Sequence, residues 1–98
     1  MTTRERLLQV TFIWAGTPKV SELEPLFNNA LDWARTNASS WFLWTNTAPE
    51  IWANRVKPHM AEADSVLIFE INATTVSENY YGWMDPWFWK WLDKHRKA

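Results

Sequence analysis

The chain has 98 residues, enough for one domain with a modest hydrophobic core and too few for two. Hydrophobic residues make up 47% and charged residues 21%, which excludes a disordered chain, and the net charge of −1 gives no overall attraction for nucleic acid or an anionic membrane. There are nine tryptophans and no cysteine, which excludes disulfides, thiol nucleophiles and thiolate metal sites.

The first part of the chain predicts a strand followed by a helix. From Leu8 to Trp14, large apolar residues occupy alternate positions, which is typical of a strand with one face on the core. After a turn at Gly16, Ser21 and Glu24 have the spacing of a capping box. Apolar residues then recur every three or four positions, so a helix is predicted from Ser21 to about Arg35.

The middle of the chain repeats this order. Aromatic residues bounded by turn residues predict a strand over Ser40–Thr45, and Trp33–Thr36 is an alternative pairing partner for it across the turn. Thr47 and Glu50 again have capping-box spacing, which predicts a second amphipathic helix. Pro58 is expected to kink or end that helix.

The last part predicts one more strand and a short helix. Residues 64–72 are apolar on both faces except at Glu70, which is typical of a central strand covered by helices. Asp85 suits an N-cap and Pro86 the first position of a helix. The order of elements predicts a single α+β domain over residues 1–98, of the ferredoxin-like type, with an antiparallel sheet covered by two helices and a short C-terminal helix in addition.

The tryptophans provide candidate binding residues. On the C-terminal helix, Trp87 falls within a predicted buried arc of about 140° and Trp89 falls outside it. We therefore expect truncation of Trp87 to destabilise the fold and truncation of Trp89 to weaken contact with a partner. Strand alternation places Trp44 on the sheet face opposite to Trp41. The predicted binding residues are Trp89, Trp83, Trp44, Lys90 and Lys94.

Catalytic and metal-binding patterns are weak. His59 and His95 are the only histidines, and each is expected to lie at a helix end rather than to act as a base, because no Ser, His and Asp arrangement is visible. No spacing of His and carboxylate residues repeats on one face, so neither a metal site nor a cofactor is predicted. The basic C-terminal end, which includes Arg96 and Lys97, is typical of a solvated helix end.

The second half of the chain resembles the small SinR-like proteins, which are relatives of the CRISPR adaptation nuclease family. The resemblance rests on SWFLWTN at 40–46, VKPHMAEADSVLIFEIN at 56–72 and YYGWMDPWFWKWL at 80–92, with KPH and the GW and W.WL pattern its most specific parts. It implies a ferredoxin-like protomer that forms a homodimer through its sheet. It also implies, in nuclease members, an aspartate at the end of the first strand that binds a divalent metal. Here that position reads FIWAG, Phe12–Gly16, without a carboxylate.

Two functions follow as hypotheses. The first is a non-catalytic, homodimeric binding protein that engages a partner protein or a nucleotide-type ligand through its surplus aromatic residues, in phage defence or counter-defence. The alternative is a metal-dependent endonuclease that recruits carboxylates from elsewhere, such as Glu70 or Asp64. The missing carboxylate favours the first. Because no segment has the ~20 apolar residues of a membrane span and no signal peptide is visible, we expect a cytoplasmic protein that does not enter a membrane.

Overall fold

A computed structural model describes residues 4–73 and 80–95. Arg96 and Lys97, which belong to the predicted solvated helix end, lie outside the described residues. The described residues form four strands, three α-helices and one short 3-10 helix, Lys57–His59. The order along the chain is β1 (Arg6–Ile13), α1 (Val20–Phe27), β2 (Asp32–Asn37), β3 (Ser40–Thr45), α2 (Pro49–Val56), β4 (Ser65–Ile71) and α3 (Pro86–Asp93).

The strands form one antiparallel sheet in the order β2-β3-β1-β4. β1 is central and pairs with β3 on one side and β4 on the other. Gln9 in its middle therefore lies opposite Phe42 of β3 and Phe69 of β4. The predicted α+β class with an antiparallel sheet is confirmed.

One face of the sheet carries the main core. Alternate residues of β1 and β3 point to this face, where apolar residues of α1 and α2 cover them. Trp52 of α2 is fully buried and its indole N–H donates to Thr45 Oγ1 at 3.2 Å. The buried residues of this cluster are Leu8, Val10, Phe12, Leu23, Phe27, Trp41, Leu43, Trp52 and Val56.

The opposite face of the sheet is only partly covered. Phe88, Trp91 and Leu92 of α3 form a second buried cluster with Leu7 of β1 and Ala34 of β2. Towards β4 the same face stays open, because α3 contacts β2 and does not extend over the other edge. Three large apolar side chains are exposed in this open part by more than half of their surface: Ile13, Leu67 and Phe69.

The predicted first helix was too long. α1 ends at Phe27, and the chain then forms the hairpin of β2 and β3, so the pairing expected near Trp33–Thr36 is confirmed. The Asn29 backbone N–H (3.1 Å) and side-chain amide (3.0 Å) both donate to the Leu26 carbonyl, which ends the helix. The apolar residues after Phe27 belong to the turn and the strand, and Leu31 is 57% exposed.

Two other local predictions were wrong. Neither Ser21 nor Thr47 caps a helix: the N-cap residues are Lys19 and Ala48, and neither makes a side-chain cap hydrogen bond. β4 is an edge strand rather than a central one, and Leu67 and Phe69 on one of its faces are exposed by more than half of their surface. Asp85 is the N-cap of α3 as predicted, although its side chain makes no cap hydrogen bond.

The predicted faces of α3 also need correction. Trp87 is 47% exposed, whereas Trp89 is half-buried and packs against the second cluster. The two residues lie about 100° to either side of Phe88 on a helix, so periodicity alone separates them poorly. The ring of Tyr80 stacks on Trp89 at 6.3 Å between centroids and covers part of it.

Candidate functional site

A cavity of about 550 Å³ lies between the second face of the sheet and the chain around α3. Gln9 of β1, Phe42 of β3 and Ile71 of β4 contribute to its lining from the sheet. Phe88 and Trp89 of α3 and the segment 80–84 line it from the other side. Its volume is in the range of cavities that hold small ligands, about 300–1,000 Å³.

Aromatic rings form much of the cavity wall. Phe88 packs against Phe42 across the gap between α3 and the sheet, with 5.1 Å between ring centroids. Phe88 also meets Trp89 edge to face at 5.5 Å, which extends the aromatic wall along the helix. Trp83 is 88% exposed although it lines the cavity, so it lies where the cavity meets solvent. The six aromatic lining residues are Phe42, Tyr80, Tyr81, Trp83, Phe88 and Trp89.

The polar groups of the wall are uncharged. Asn37 uses Oδ1 to accept the Ser39 backbone N–H at 2.7 Å, and Thr36 donates to the Ser40 carbonyl at 3.2 Å. Gln9 makes no side-chain hydrogen bond with any described residue. The polar lining residues are Gln9, Thr36, Asn37, Ser40 and Asn72.

A His–carboxylate pair fixes the C-terminal end of α3 next to the aromatic wall of the cavity. The His95 ring lies 2.9 Å from Asp32 Oδ2, measured from Nε2, and Lys94 Nζ lies 3.4 Å from the same oxygen. His95 stacks on Trp44 at 4.7 Å and meets the edge of Trp91 at 4.9 Å. Asp32 lies on β2, so these contacts tie the C-terminal end of α3 to the edge of the sheet.

The environment of Asp32 favours its charged form. Partial burial raises the pKa of Asp32, but hydrogen bonding from His95 and the Trp33 backbone N–H, together with the nearby Trp91 indole and the charge of Lys94, outweighs that effect. The net result is that the pKa of Asp32 is lowered. The Trp91 N–H is close enough to contribute but does not have the geometry of a hydrogen bond.

The structure brings two of the five predicted binding residues to the cavity. Trp89 and Trp83 line it, whereas Trp44 stacks on His95 and donates its indole N–H to Glu5 at 3.0 Å. Lys94 is in an ion pair. Lys90 is exposed, and no ion pair joins it to another residue in the described ranges.

The carboxylates of the endonuclease hypothesis are engaged in structural contacts. Asp64 accepts the backbone N–H groups of Ala15 and Ala61, each at 2.8 Å, and Glu70 pairs with Arg4 at 2.7 Å. Asp64 precedes β4 and Glu70 lies near its far end, six positions away, which is about 20 Å in a strand. Among residues 4–73 and 80–95, no group of three or more His, Asp or Glu side chains is arranged to hold a metal ion.

Sequence reasoning missed the polar half of the cavity. Gln9 alternates with core residues on β1, and neither Gln9 nor Asn37 is among the binding residues that the sequence predicts. Only the pairing of β1 with β3 and β4 and the position of α3 bring them together. No signal within either local segment distinguishes a cavity residue from a solvated one.

Comparison with known proteins gives no match: no protein-family model, no curated protein and no solved structure is significantly similar to the chain. None of the helices in the described part is long and apolar enough to span a membrane.

Proposed function

We propose that this protein is a non-catalytic binding protein whose cavity beside α3 takes a nucleotide-type ligand. The observation that carries the proposal is the cavity itself, with six aromatic and five uncharged polar side chains in its lining. Ligand cavities are typically apolar and aromatic, with a few polar groups that fix orientation. Stacking of a base on an aromatic side chain contributes about 1–3 kcal/mol, so Trp89 and Trp83 suit a planar ring.

As part of the proposal, we assign the domain to the ferredoxin-like type. Its strands and first two helices follow the order β, α, β, β, α, β, and β3 lies between the parallel strands β1 and β2. That arrangement is the split βαβ unit of the type. A relation to the SinR-like proteins and a role in phage defence or counter-defence remain proposals that rest on the resemblance described above.

We also propose that the protein is a homodimer. Leu67 and Phe69 of the edge strand are 56% and 58% exposed and share a sheet face with Ile13, which is 70% exposed. Edge strands with exposed apolar residues favour pairing with another chain. The double change of Leu67 and Phe69 to Lys should convert a dimer to a monomer in sedimentation velocity while leaving the melting temperature nearly unchanged. A wild-type protein that sediments as a monomer at high micromolar concentration would contradict this part.

The contacts favour binding over the alternative, a metal-dependent endonuclease. That activity needs oxygen ligands that converge on a hard cation. Asp64 and Glu70 lie at opposite ends of one strand and are held by backbone N–H groups and arginines. Magnesium-dependent cleavage of DNA or RNA that is lost in both Asp64→Asn and Glu70→Gln variants would instead support the endonuclease.

Titration followed by tryptophan fluorescence tests the binding function. We expect 5′-mononucleotides to change the emission of the wild-type protein, since Trp83 and Trp89 line the cavity. Trp89→Ala should weaken binding about tenfold, as loss of one stacking contact predicts. Trp87→Ala is the matched control, because Trp87 is a tryptophan of the same helix, two positions from Trp89, but is not a lining residue.

Two outcomes would contradict the proposal. The first is that no nucleotide changes the fluorescence of the folded wild-type protein, which would leave a partner protein as the remaining binding hypothesis. The second is that Trp87→Ala and Trp89→Ala weaken binding equally. Circular dichroism of each variant establishes that it is folded before its affinity is compared.

A further inference from the structure

The described residues that line the cavity include no Asp, Glu, Lys, Arg or His. In a chain in which 21% of residues are charged, a lining of this size would contain about three such residues by composition alone. Their absence from both the sheet side and the α3 side means that the described lining offers no counter-charge to a ligand.

We propose that the ligand is recognised through an uncharged heterocyclic base or nucleoside, and that a phosphate, where present, stays outside the cavity. This inference rests on the proposed function and names the part of the ligand that the cavity takes. Transfer of an unpaired ionised group from water into such a site is strongly unfavourable, whereas a planar uncharged ring loses little on desolvation and gains stacking contacts. Lys90 is exposed and absent from the lining, so it adds no charge inside.

Gln9 is the side chain best placed to read the edge of the base. It lies in the middle of the central strand and is partly buried, opposite the aromatic Phe42 in the strand register. Its amide has both a donor and an acceptor, which can form a paired hydrogen bond to a base edge that carries the complementary pair. No described residue uses the Gln9 amide, and we assign its hydrogen-bonding groups to the ligand.

Neighbouring polar groups are less available than Gln9. Thr36 donates to the Ser40 carbonyl, and Asn37 has one amide oxygen on the Ser39 N–H. The Asn37 NH₂ group has no partner among the described residues and is a second donor for the ligand. We therefore assign specificity first to Gln9 and second to Asn37.

The test compares the four nucleosides with their 5′-monophosphates by isothermal titration calorimetry. The best nucleoside should bind within about threefold of its monophosphate, because the phosphate contributes no buried contact. Its affinity should change less than about twofold between about 50 and 300 mM salt, as expected for an interaction without charge pairing. Gln9→Met, which keeps the length but removes both hydrogen-bonding groups, should weaken nucleoside binding about tenfold or more.

Thr11→Val is the matched control for Gln9→Met. Thr11 lies two positions further along β1 on the same sheet face but does not line the cavity. This variant should leave nucleoside affinity unchanged.

Three other outcomes would separate the inference, the role of Gln9 and the proposed function. Monophosphates that bind at least tenfold more tightly than nucleosides would overturn the inference and leave the proposed nucleotide-binding function standing. Nucleosides that bind wild-type and Gln9→Met protein equally would overturn the role of Gln9. Absence of binding by every nucleoside and nucleotide would overturn the inference and the proposed function together.

Discussion

The contact between Asp32 and His95 gives the sharpest prediction about stability. We consider Asp32→Asn, which keeps the size of the side chain and the Oδ1 acceptor of the Trp33 N–H, at 2.9 Å, but removes the charge. The change leaves His95 Nε2, which lies 2.9 Å from Oδ2, without its charged partner. Since the His95 side chain is only 10% exposed and lies between Trp44 and Trp91, it has little room to find another.

The loss of stability expected for Asp32→Asn lies between the free energies that surface pairs and buried pairs contribute. Hydrogen bonds to charged groups contribute about 1.5–3 kcal/mol, whereas exposed ion pairs contribute about 0.2–1 kcal/mol. The Asp32 side chain is 33% exposed, so solvent screens part of the interaction. We therefore expect Asp32→Asn to lower the free energy of unfolding by about 1–2 kcal/mol, or the melting temperature by roughly 5–15 °C for a domain of this size.

The pH dependence has a definite sign. The pKa of Asp32 is lowered in the folded protein, so the folded state binds fewer protons at this site than the unfolded state. Its contribution is fully present above the ordinary value of 3.8 and is lost as pH falls through the lower folded value. The stability difference between wild type and Asp32→Asn should therefore be largest near neutral pH and should shrink below about pH 4.

Urea unfolding followed by tryptophan fluorescence measures this loss. His95→Phe keeps an aromatic ring against Trp44 and removes the ring nitrogens, so it completes a double-mutant cycle with Asp32→Asn. We expect a coupling free energy of about 1 kcal/mol between the two changes at pH 7. Coupling below about 0.3 kcal/mol, or a difference from wild type that persists unchanged at pH 3, would refute the reasoning.

The remaining predictions concern α3 and the loop before β4. Phe88→Ala should lower the free energy of unfolding by about 3 kcal/mol, because Phe88 is only 5% exposed. Trp87 is 47% exposed, so Trp87→Ala should cost no more than half as much in the same urea experiment. Equal losses of stability would mean that the buried face of the helix is misplaced. Asp64→Asn should lower the melting temperature relative to the exposed control Glu62→Gln, because two backbone N–H groups stabilise the Asp64 carboxylate and lower its pKa. The difference in melting temperature between the two variants should disappear as pH falls below 3.8. Identical behaviour of the two variants in thermal melts followed across pH would contradict that assignment.

Local pattern is sufficient to predict several elements of the fold. β1 was predicted because its apolar residues alternate with a period of two, and a buried face must repeat in this way along a strand. Pro86 marks the start of α3 because proline is well tolerated at the first position of a helix. Trp52 and Val56 have the spacing of one helical stripe, which is typical of a buried face, and both are fully buried.

Other features lay beyond local pattern. Residues after Phe27 have helical spacing, but the hairpin with β3 supplies their hydrogen bonds instead, and capping-box spacing did not place the ends of α1 or α2. The apolar pattern of β4 is compatible with a central strand and also with an edge strand that has one open face. Burial depends on the strands and helices that pack against β4. In each case the competing structures differ in long-range contacts that no short stretch of sequence contains.

The candidate site, like the fold, could be predicted only in part from local pattern. Composition and local pattern predict a single α+β domain without cysteine chemistry, a C-terminal helix rich in tryptophan, and Trp83 and Trp89 as binding residues. Long-range strand pairing and the position of α3 bring Gln9 and Phe42, on adjacent strands, to the cavity beside that helix. A cavity needs side chains from separate elements to meet at a distance that leaves space between them, and periodicity within one element carries no information about that distance.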